Sequence, residues 1–418
     1  MAKPGGDMAR KGALRLIQGV REGRSLSDQS GALHALPVAE QARAARLAAE
    51  TLRHQGRADA VIAGLVARNP APQIADVLRL GVVEMLELGA PAHGVVGAAV
   101  DLTRGLGKRG QAAAGMVNAV LRKASTHQGW ADLPPQRLPE WLREPLADAY
   151  DAATLLAIEA AHQRGAPLDL TLKPGATPPP GAEELPTGSW RLHGPVHVTA
   201  LPGFAEGAWW VQDAAAALPV RLLDPQPGEV IADLCAAPGG KTMQLAAAGA
   251  RVTALDISEQ RLKRVTENLS RCGLAADLVA GDALDWRPAT APDAILLDAP
   301  CSATGTIRRH PDLPHIRDGH GIAELIELQA AMLDHALSVL RPGGRLVFAT
   351  CSLIPDEGEV QIDEALARHP GLIVERPELP GIDPAWITEE GGLRLRPDFW
   401  ADRGGMDGFY MARLRKAG

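Results

Sequence analysis

From about residue 206 the chain alternates short apolar runs with longer amphipathic stretches, and each run ends on a residue able to do chemistry. The pattern predicts strands over 229–234, Arg251–Asp256, 276–280, 293–298 and Arg345–Thr350. Helices are expected from Thr242, after Ser258 as an N-cap with Leu262, Val265 and Leu269 on one face, and over 324–340. Strands that alternate with helices build a mainly parallel sheet covered on both faces. In such a sheet ligands bind beyond the carboxyl ends of the strands. Those ends therefore decide what the chain can do.

The first expected strand runs into a turn, Cys235-Ala236-Ala237-Pro238-Gly239-Gly240-Lys241-Thr242. Gly240-Lys241-Thr242 matches the end of a phosphate loop, but the first glycine of that motif would fall at Cys235. The turn instead suits a cofactor held by backbone amides at a helix N-terminus, with Gly239 and Gly240 permitting close approach. Asp256 ends the second strand, where an acid can hydrogen-bond ribose hydroxyls. Asp282 follows the third strand, able to meet an adenine amino group or to close a turn. Asp298 ends the fourth, directly before Ala299-Pro300-Cys301. Cys351 ends the fifth. A nucleophilic thiol needs nearby positive charge or a helix N-terminus, and Lys241, Arg308 and Arg309 are the candidates for that charge. Cys235 and Cys272 are assigned to the cofactor turn or to packing. No two of the four cysteines are spaced for a zinc knuckle, so no metal site is expected.

With 418 residues the chain exceeds one typical core. Its net charge of −7 hides a split. Residues 1–125 carry 17 lysines and arginines against 10 acids, a balance of +7, which can mark a module facing a polyanion. They read as an all-helical bundle: Leu14, Ile17 and Val20 form one stripe; Ile74, Val77, Leu78, Val82 and Met85 another; Met116, Val117, Val120 and Leu121 a third. Residues 129–205 are expected to be a small α+β module or a linker, with strand-like pieces at Leu168–Leu172 and 196–199 around a proline-rich loop over 173–188. No apolar run has the length of a membrane span, and the N-terminus lacks an export core. A cytoplasmic protein with reduced thiols is expected.

Three long motifs carry a resemblance. They are 233–242, 298–312 (Asp-Ala-Pro-Cys-Ser-Ala-Thr-Gly-Thr-Ile-Arg-Arg-His-Pro-Asp) and 349–352 (Ala-Thr-Cys-Ser). In this order they resemble the S-adenosylmethionine-dependent RNA cytosine-C5 methyltransferases of the NOL1/NOP2/Sun family. The N-terminal helices resemble the NusB fold, with His93 and 117–122 matching its recurring pieces. The pairing of the two is typical of bacterial enzymes that methylate 16S ribosomal RNA. The sequence departs from the family pattern at Leu313-Pro314-His315-Ile316 and at Leu170-Thr171-Leu172-Lys173.

The resemblance implies three parts: an all-α NusB-like RNA-binding bundle over 1–128, the small α+β module over 129–205, and an α/β Rossmann-like class I methyltransferase domain over 206–418. It implies that Cys235 through Lys241 (Cys235, Ala236, Ala237, Pro238, Gly239, Gly240 and Lys241) cradle S-adenosylmethionine, with Asp256 at its ribose, Asp282 at its adenine and Asp298 beside both cofactor and base. Cys351 would be the nucleophile and Cys301 would assist product release. Arg308 and Arg309 would grip RNA phosphate. The expected partner is 16S rRNA rather than the assembled ribosome, with the protein a monomer. Thiolate addition at C6 of cytosine makes C5 nucleophilic, and an acid near N3, with Asp298 the candidate, would offset the developing charge. Two alternatives stand beside this reading: the same chemistry on tRNA, and a non-catalytic RNA-binding factor with a relict cofactor fold.

Overall fold

The computed structural model describes residues 5–194 and 196–418, and the chain divides into two compact units. The first comprises residues up to Gly165 together with Ile307–Gly319; the second comprises Ala166–Thr306 and His320–Gly418.

The first unit is helical. Its longer helices are Gly5–Arg21, Val38–Arg53, Pro72–Leu86, Ala92–Arg104 and Gly107–Ala124, followed by Glu140–Ala149 and Ala152–Arg164. The stripes expected on helical spacing are buried: Leu14, Ile17, Val20, Ile74, Val77, Leu78, Val82 and Met85 all face the core. Met116 departs from its stripe and is exposed, one step off the face that buries Val117, Val120 and Leu121. Buried acids on the helix Pro72–Leu86 are each matched by cations. Glu84 accepts from Arg10 Nε and Nη2 at 2.7 Å each, and Asp76 pairs with Arg21 and Arg79. Such pairing is what allows a charge to be buried at all.

Ile307–Gly319 packs into this first unit. The Leu26 amide donates to Asp312 Oδ2 at 2.8 Å, Arg53 Nη2 donates to the Arg308 carbonyl at 3.0 Å, and His315 Nε2 lies 3.3 Å from the Leu52 carbonyl.

The second unit holds two sheets. The smaller has the order β2-β3-β1-β4, from β1 (Leu168–Leu172), β2 (Glu183–Glu184), β3 (Trp190–Leu192) and β4 (Trp209–Val211). Its core contains a fully buried ion pair, Arg191 to Asp169 at 2.6 and 2.7 Å. Leu168–Leu172 forms a strand as expected. The strand expected over 196–199 does not: Val198–Ala200 is a single 3-10 turn, and Trp209–Val211 takes the place beside β1. Of residues 129–205, those through Gly165 lie in the first unit and those from Ala166 in the second.

The larger sheet comprises β5 (Val230–Leu234), β6 (Arg251–Asp256), β7 (Asp277–Ala280), β8 (Ala294–Asp298), β9 (Arg345–Thr350), β10 (Ile373–Glu375), β11 (Leu393–Leu395) and β12 (Phe409–Arg415). The order is β10-β12-β9-β8-β5-β6-β7, with β11 also paired to β12. Strands β5 to β9 run parallel, and β12 is antiparallel to β9. The central strands are buried on both faces: Ala294–Leu297 and Leu346–Thr350 are essentially inaccessible, as expected between two helical layers. Ser258 caps the following helix as expected, accepting from the Arg261 amide. This is the doubly wound architecture anticipated from the alternation, and all five parallel strands end on the same edge.

Candidate active site

Between β5 and the helix Gly240–Ala247 the chain makes a tight turn. Cys235 sits at φ 66° and Gly239 at φ 101°. A Cβ on Gly239 would lie 3.1 Å from Val265 Cγ1, so glycine is needed there for conformation and for space. The turn is tied to its neighbours on every side. Ala236 N donates to the Leu255 carbonyl at 2.9 Å and Ala237 N to Asp256 Oδ2 at 3.1 Å. Arg261 Nη2 donates to the Ala237 carbonyl at 2.9 Å and Asn268 Nδ2 to the Pro238 carbonyl at 3.0 Å. Beneath it Asp233 accepts from Thr242 Oγ1 at 2.6 Å. Burial pushes the Asp233 carboxyl up to about 7, and its Oδ1 has no partner among the described residues.

The turn borders a cavity of about 420 Å³, lined by Cys235, Asp256, Asp282, Asp298, Cys301 and Cys351 among others. That volume lies in the usual range for a small-molecule site. Burial, reinforced by Asp298, Asp256 and Asp233, pushes the Cys235 thiol up to about 12, so this cysteine stays neutral and serves as turn and wall. Cys272 is fully buried in a core cluster. The three acids expected at successive strand ends thus meet around one space.

Lys241 Nζ donates to Asp298 Oδ2 at 2.7 Å and lies 5.4 Å from the centre of the Phe409 ring. Burial works against its charge, but Asp298, with Cys351 and Asp233, outweighs that and raises its pKa. Lys241 therefore keeps its proton and is paired with Asp298 at the cavity wall.

The two thiols, 50 residues apart in sequence, are in contact: Cys301 Sγ and Cys351 Sγ are 3.4 Å apart. The hydrogen bond to Cys351, then burial, then the negative charges of Cys351 and Glu357, push the Cys301 thiol well above its ordinary value. Cys301 therefore keeps its proton. Both loops hang from Glu357, which is completely buried. Its carboxylate accepts from Ser302 N at 2.8 Å, Ser302 Oγ at 2.5 Å, Ser352 Oγ at 2.6 Å and Gln329 Nε2 at 3.1 Å. Gly305 N donates to the Cys351 carbonyl at 2.9 Å, and a Cβ on Gly305 would lie 1.9 Å from the Gly408 carbonyl oxygen.

Glu357, Gln329, Arg261, Asn268 and Phe409 were not anticipated. One signal was available: each cysteine is followed by serine, and Ser302 and Ser352 converge on the same carboxylate. Arg308 requires a correction. It is completely buried and belongs to the first unit, so its side chain does not reach a phosphate in solvent; Arg309 is exposed. The cation associated with the thiols is Lys241. No cluster of three metal-ligating side chains occurs among the described residues, and none of their helices is long and apolar enough to cross a membrane.

A parallel sheet with a glycine turn, strand-end acids and a cavity of this kind defines a class I methyltransferase. The family described as 16S rRNA methyltransferase RsmB/F matches residues 220–415, and the NusB family matches residues 7–126. A protein of Vibrio cholerae named ribosomal RNA small subunit methyltransferase B is 38% identical over 81% of this chain and 80% of its own length. The protein of the same name from Salmonella arizonae is 39% identical over 81% of each. A solved methyltransferase homologue from Pyrococcus horikoshii is 29% identical with a TM-score of 0.53, over 66% of this chain and 99% of its own. The chain belongs to the RsmB/F family of rRNA methyltransferases, with a NusB domain at its N-terminus. Its cofactor is S-adenosylmethionine. The residues fit that group: the cavity has room for it, and Cys235, Ala237, Asp256, Asp282 and Asp298 line it, joining the turn to three strand-end carboxylates.

Proposed function

We propose that this enzyme methylates C5 of a cytosine in 16S rRNA, in the cytoplasm, through a transient bond between Cys351 and C6 of the base. The observation that carries the reading is the contact of Cys301 and Cys351 at the wall of a cavity that also holds Asp256, Asp282 and Asp298. Two thiols at a cofactor site are superfluous for methyl transfer to an amine or a hydroxyl. They suit a carbon that must first be activated and then released.

The bound cofactor supplies an electrophilic methyl group. The protein's residues do the rest. Backbone from Cys235 to Lys241 frames the cofactor, Asp256 stands at the ribose position and Asp282 at the adenine. Cys351 adds to C6, which gives C5 the electron density of an enamine carbon. Lys241, kept protonated by Asp298, offsets charge developing on the pyrimidine. Once C5 carries the methyl group, its proton passes to solvent, the C5–C6 double bond re-forms and the Cys351 sulfur leaves as a thiolate, which Cys301, retaining its own proton, stabilises by donating a hydrogen bond across the 3.4 Å contact. The target base is unstacked to reach the cavity, as enzymes acting on a base require.

Cys301→Ala should stall the cycle after addition. Incubation with 16S rRNA transcript and S-adenosylmethionine should give a slow-migrating protein–RNA band on a denaturing gel; its absence would remove Cys301 from the release step. Asp256→Ala deletes the acceptor for the Ala237 amide and for the ribose. Loss of charge-assisted hydrogen bonds of this kind predicts a cofactor Kd raised roughly 10- to 100-fold in calorimetry. Unaltered affinity would place the ribose elsewhere.

A further inference from the structure

Aromatic residues make up 3% of the chain, with 8 tryptophans and 4 phenylalanines in 418 residues. Three of them converge outside the cofactor cavity. Trp386 and Phe399 are stacked, with ring centres 5.1 Å apart and planes 9° from parallel. Trp400 meets Trp386 edge-on at 5.7 Å. The Arg396 guanidinium carbon lies 4.5 Å from the centre of the Phe399 ring. Together with Asp383 and Asp398 these residues border an open pocket of about 760 Å³. Trp386 is buried as its floor, while Phe399 and Trp400 are only half-buried. Trp400 adopts a left-handed φ of 52°, which is costly for a bulky side chain and is a reason to look for a role.

The pocket's place in the fold narrows what it holds. The strand β11 ends at Leu395, which pairs with Phe409 at the start of β12. Phe409 is the ring beside Lys241, and β12 continues against β9, whose end carries Cys351. Arg396 to Trp400 therefore leave the sheet at the same end as the reactive groups, within the same unit. We propose that this pocket takes an unstacked nucleobase of the RNA substrate, next to the nucleotide being modified. Extruding a target base costs its neighbours their stacking. Trp400, set edge-on to the stacked pair and half-buried at the pocket, is the ring that returns that contact, and does so for any base because each has a π-face. Arg396 is already paired with Asp398 at 3.1 and 2.9 Å, so it offers its face rather than net charge.

The inference rests on the enzyme acting on RNA, and its test separates the two. In the full-length chain, Trp400→Ala should raise KM for a 16S rRNA transcript roughly 10-fold, the effect of losing one stacking contact. Trp400→Phe should restore it. The kcat at saturating RNA and the cofactor Kd should stay within about twofold in both. The slope of log KM against log salt should not change, since no phosphate contact is lost. An unchanged KM in Trp400→Ala overturns the proposal. So does a rise in KM accompanied by a lowered melting temperature and weakened cofactor binding, which would mean a packing role only. Should the transcript prove not to be a substrate, quenching of tryptophan fluorescence by a short single-stranded oligoribonucleotide decides the matter. Quenching in the parent that is unaltered in Trp400→Ala and in Phe399→Leu counts against the pocket; quenching diminished in both supports it.

Discussion

Replacing Cys351 by alanine should abolish methyl transfer, by a factor on the order of 10⁴ to 10⁶, the scale seen when a covalent catalyst loses its nucleophile. The cofactor Kd should hold within about twofold, because the turn from Cys235 to Lys241 draws its hydrogen bonds from Leu255, Asp256, Arg261 and Asn268. The fold should hold as well. The Cys351 carbonyl, not its side chain, receives the Gly305 amide, so the loop crossing survives the substitution. A second measurement fixes the order of events. Cys301→Ala is expected to accumulate an adduct; adding Cys351→Ala to it should remove the adduct completely. If the double variant still formed one, another nucleophile would be at work, and the raised pKa of Cys301 would no longer matter to the mechanism.

Glu357→Ala is expected to cost both stability and rate. The carboxylate is inaccessible to solvent and receives four hydrogen bonds, from Ser302 N, Ser302 Oγ, Ser352 Oγ and Gln329 Nε2. Deleting it leaves those donors buried without an acceptor, at about 1–3 kcal/mol each where water cannot enter. A net loss of about 3 kcal/mol should appear as a melting temperature roughly 6–12 °C lower. The two cysteine loops lose their common anchor, so kcat should fall about 100-fold, the penalty typical of an ångström-scale misplacement of reacting groups. The cofactor Kd should change little, since none of the four bonds reaches the glycine turn. Glu357→Gln offers the informative contrast. Its oxygen can keep the Ser302 amide and Gln329, while the two serine hydroxyls can rotate to accept from its amide nitrogen. It should recover most of the stability and bring kcat to within about 10-fold of the parent. Equal losses in the two variants would show that charge, rather than anchoring, is what Glu357 provides.

The sequence made the sheet and the cofactor cradle legible because both are local. Alternating apolar runs mark strands, and each strand-end acid lies within a few residues of the run that positions it. The five parallel strands appear within one residue of their expected bounds. What was not legible depends on partners distant in sequence. Ser302 and Glu357 are 55 residues apart, and nothing in the run Pro355-Asp356-Glu357 distinguishes the buried acid from its neighbour. Arg308 reads as a surface cation beside Arg309, and only the packing of Ile307–Gly319 into the helical unit reveals that it is enclosed. Val196–Thr199 carries β-branched residues at strand spacing, but β4 supplies the edge it would have paired with. The aromatic pocket escaped notice because Trp386 and Trp400 lie on opposite sides of β11, and a strand of three residues leaves little periodic signal.

The passage of Ile307–Gly319 through the helical unit has a consequence for how the protein is made. On a translating ribosome the helices preceding Gly165 emerge first, yet the backbone amide of Leu26 finds its acceptor only once Asp312 has been synthesised, 286 residues later. The N-terminal bundle is therefore first to appear but cannot be completed until residue 319 has been made. A gene cut after Gly165 would strand Ile307–Gly319, a piece of the first unit, on the second product.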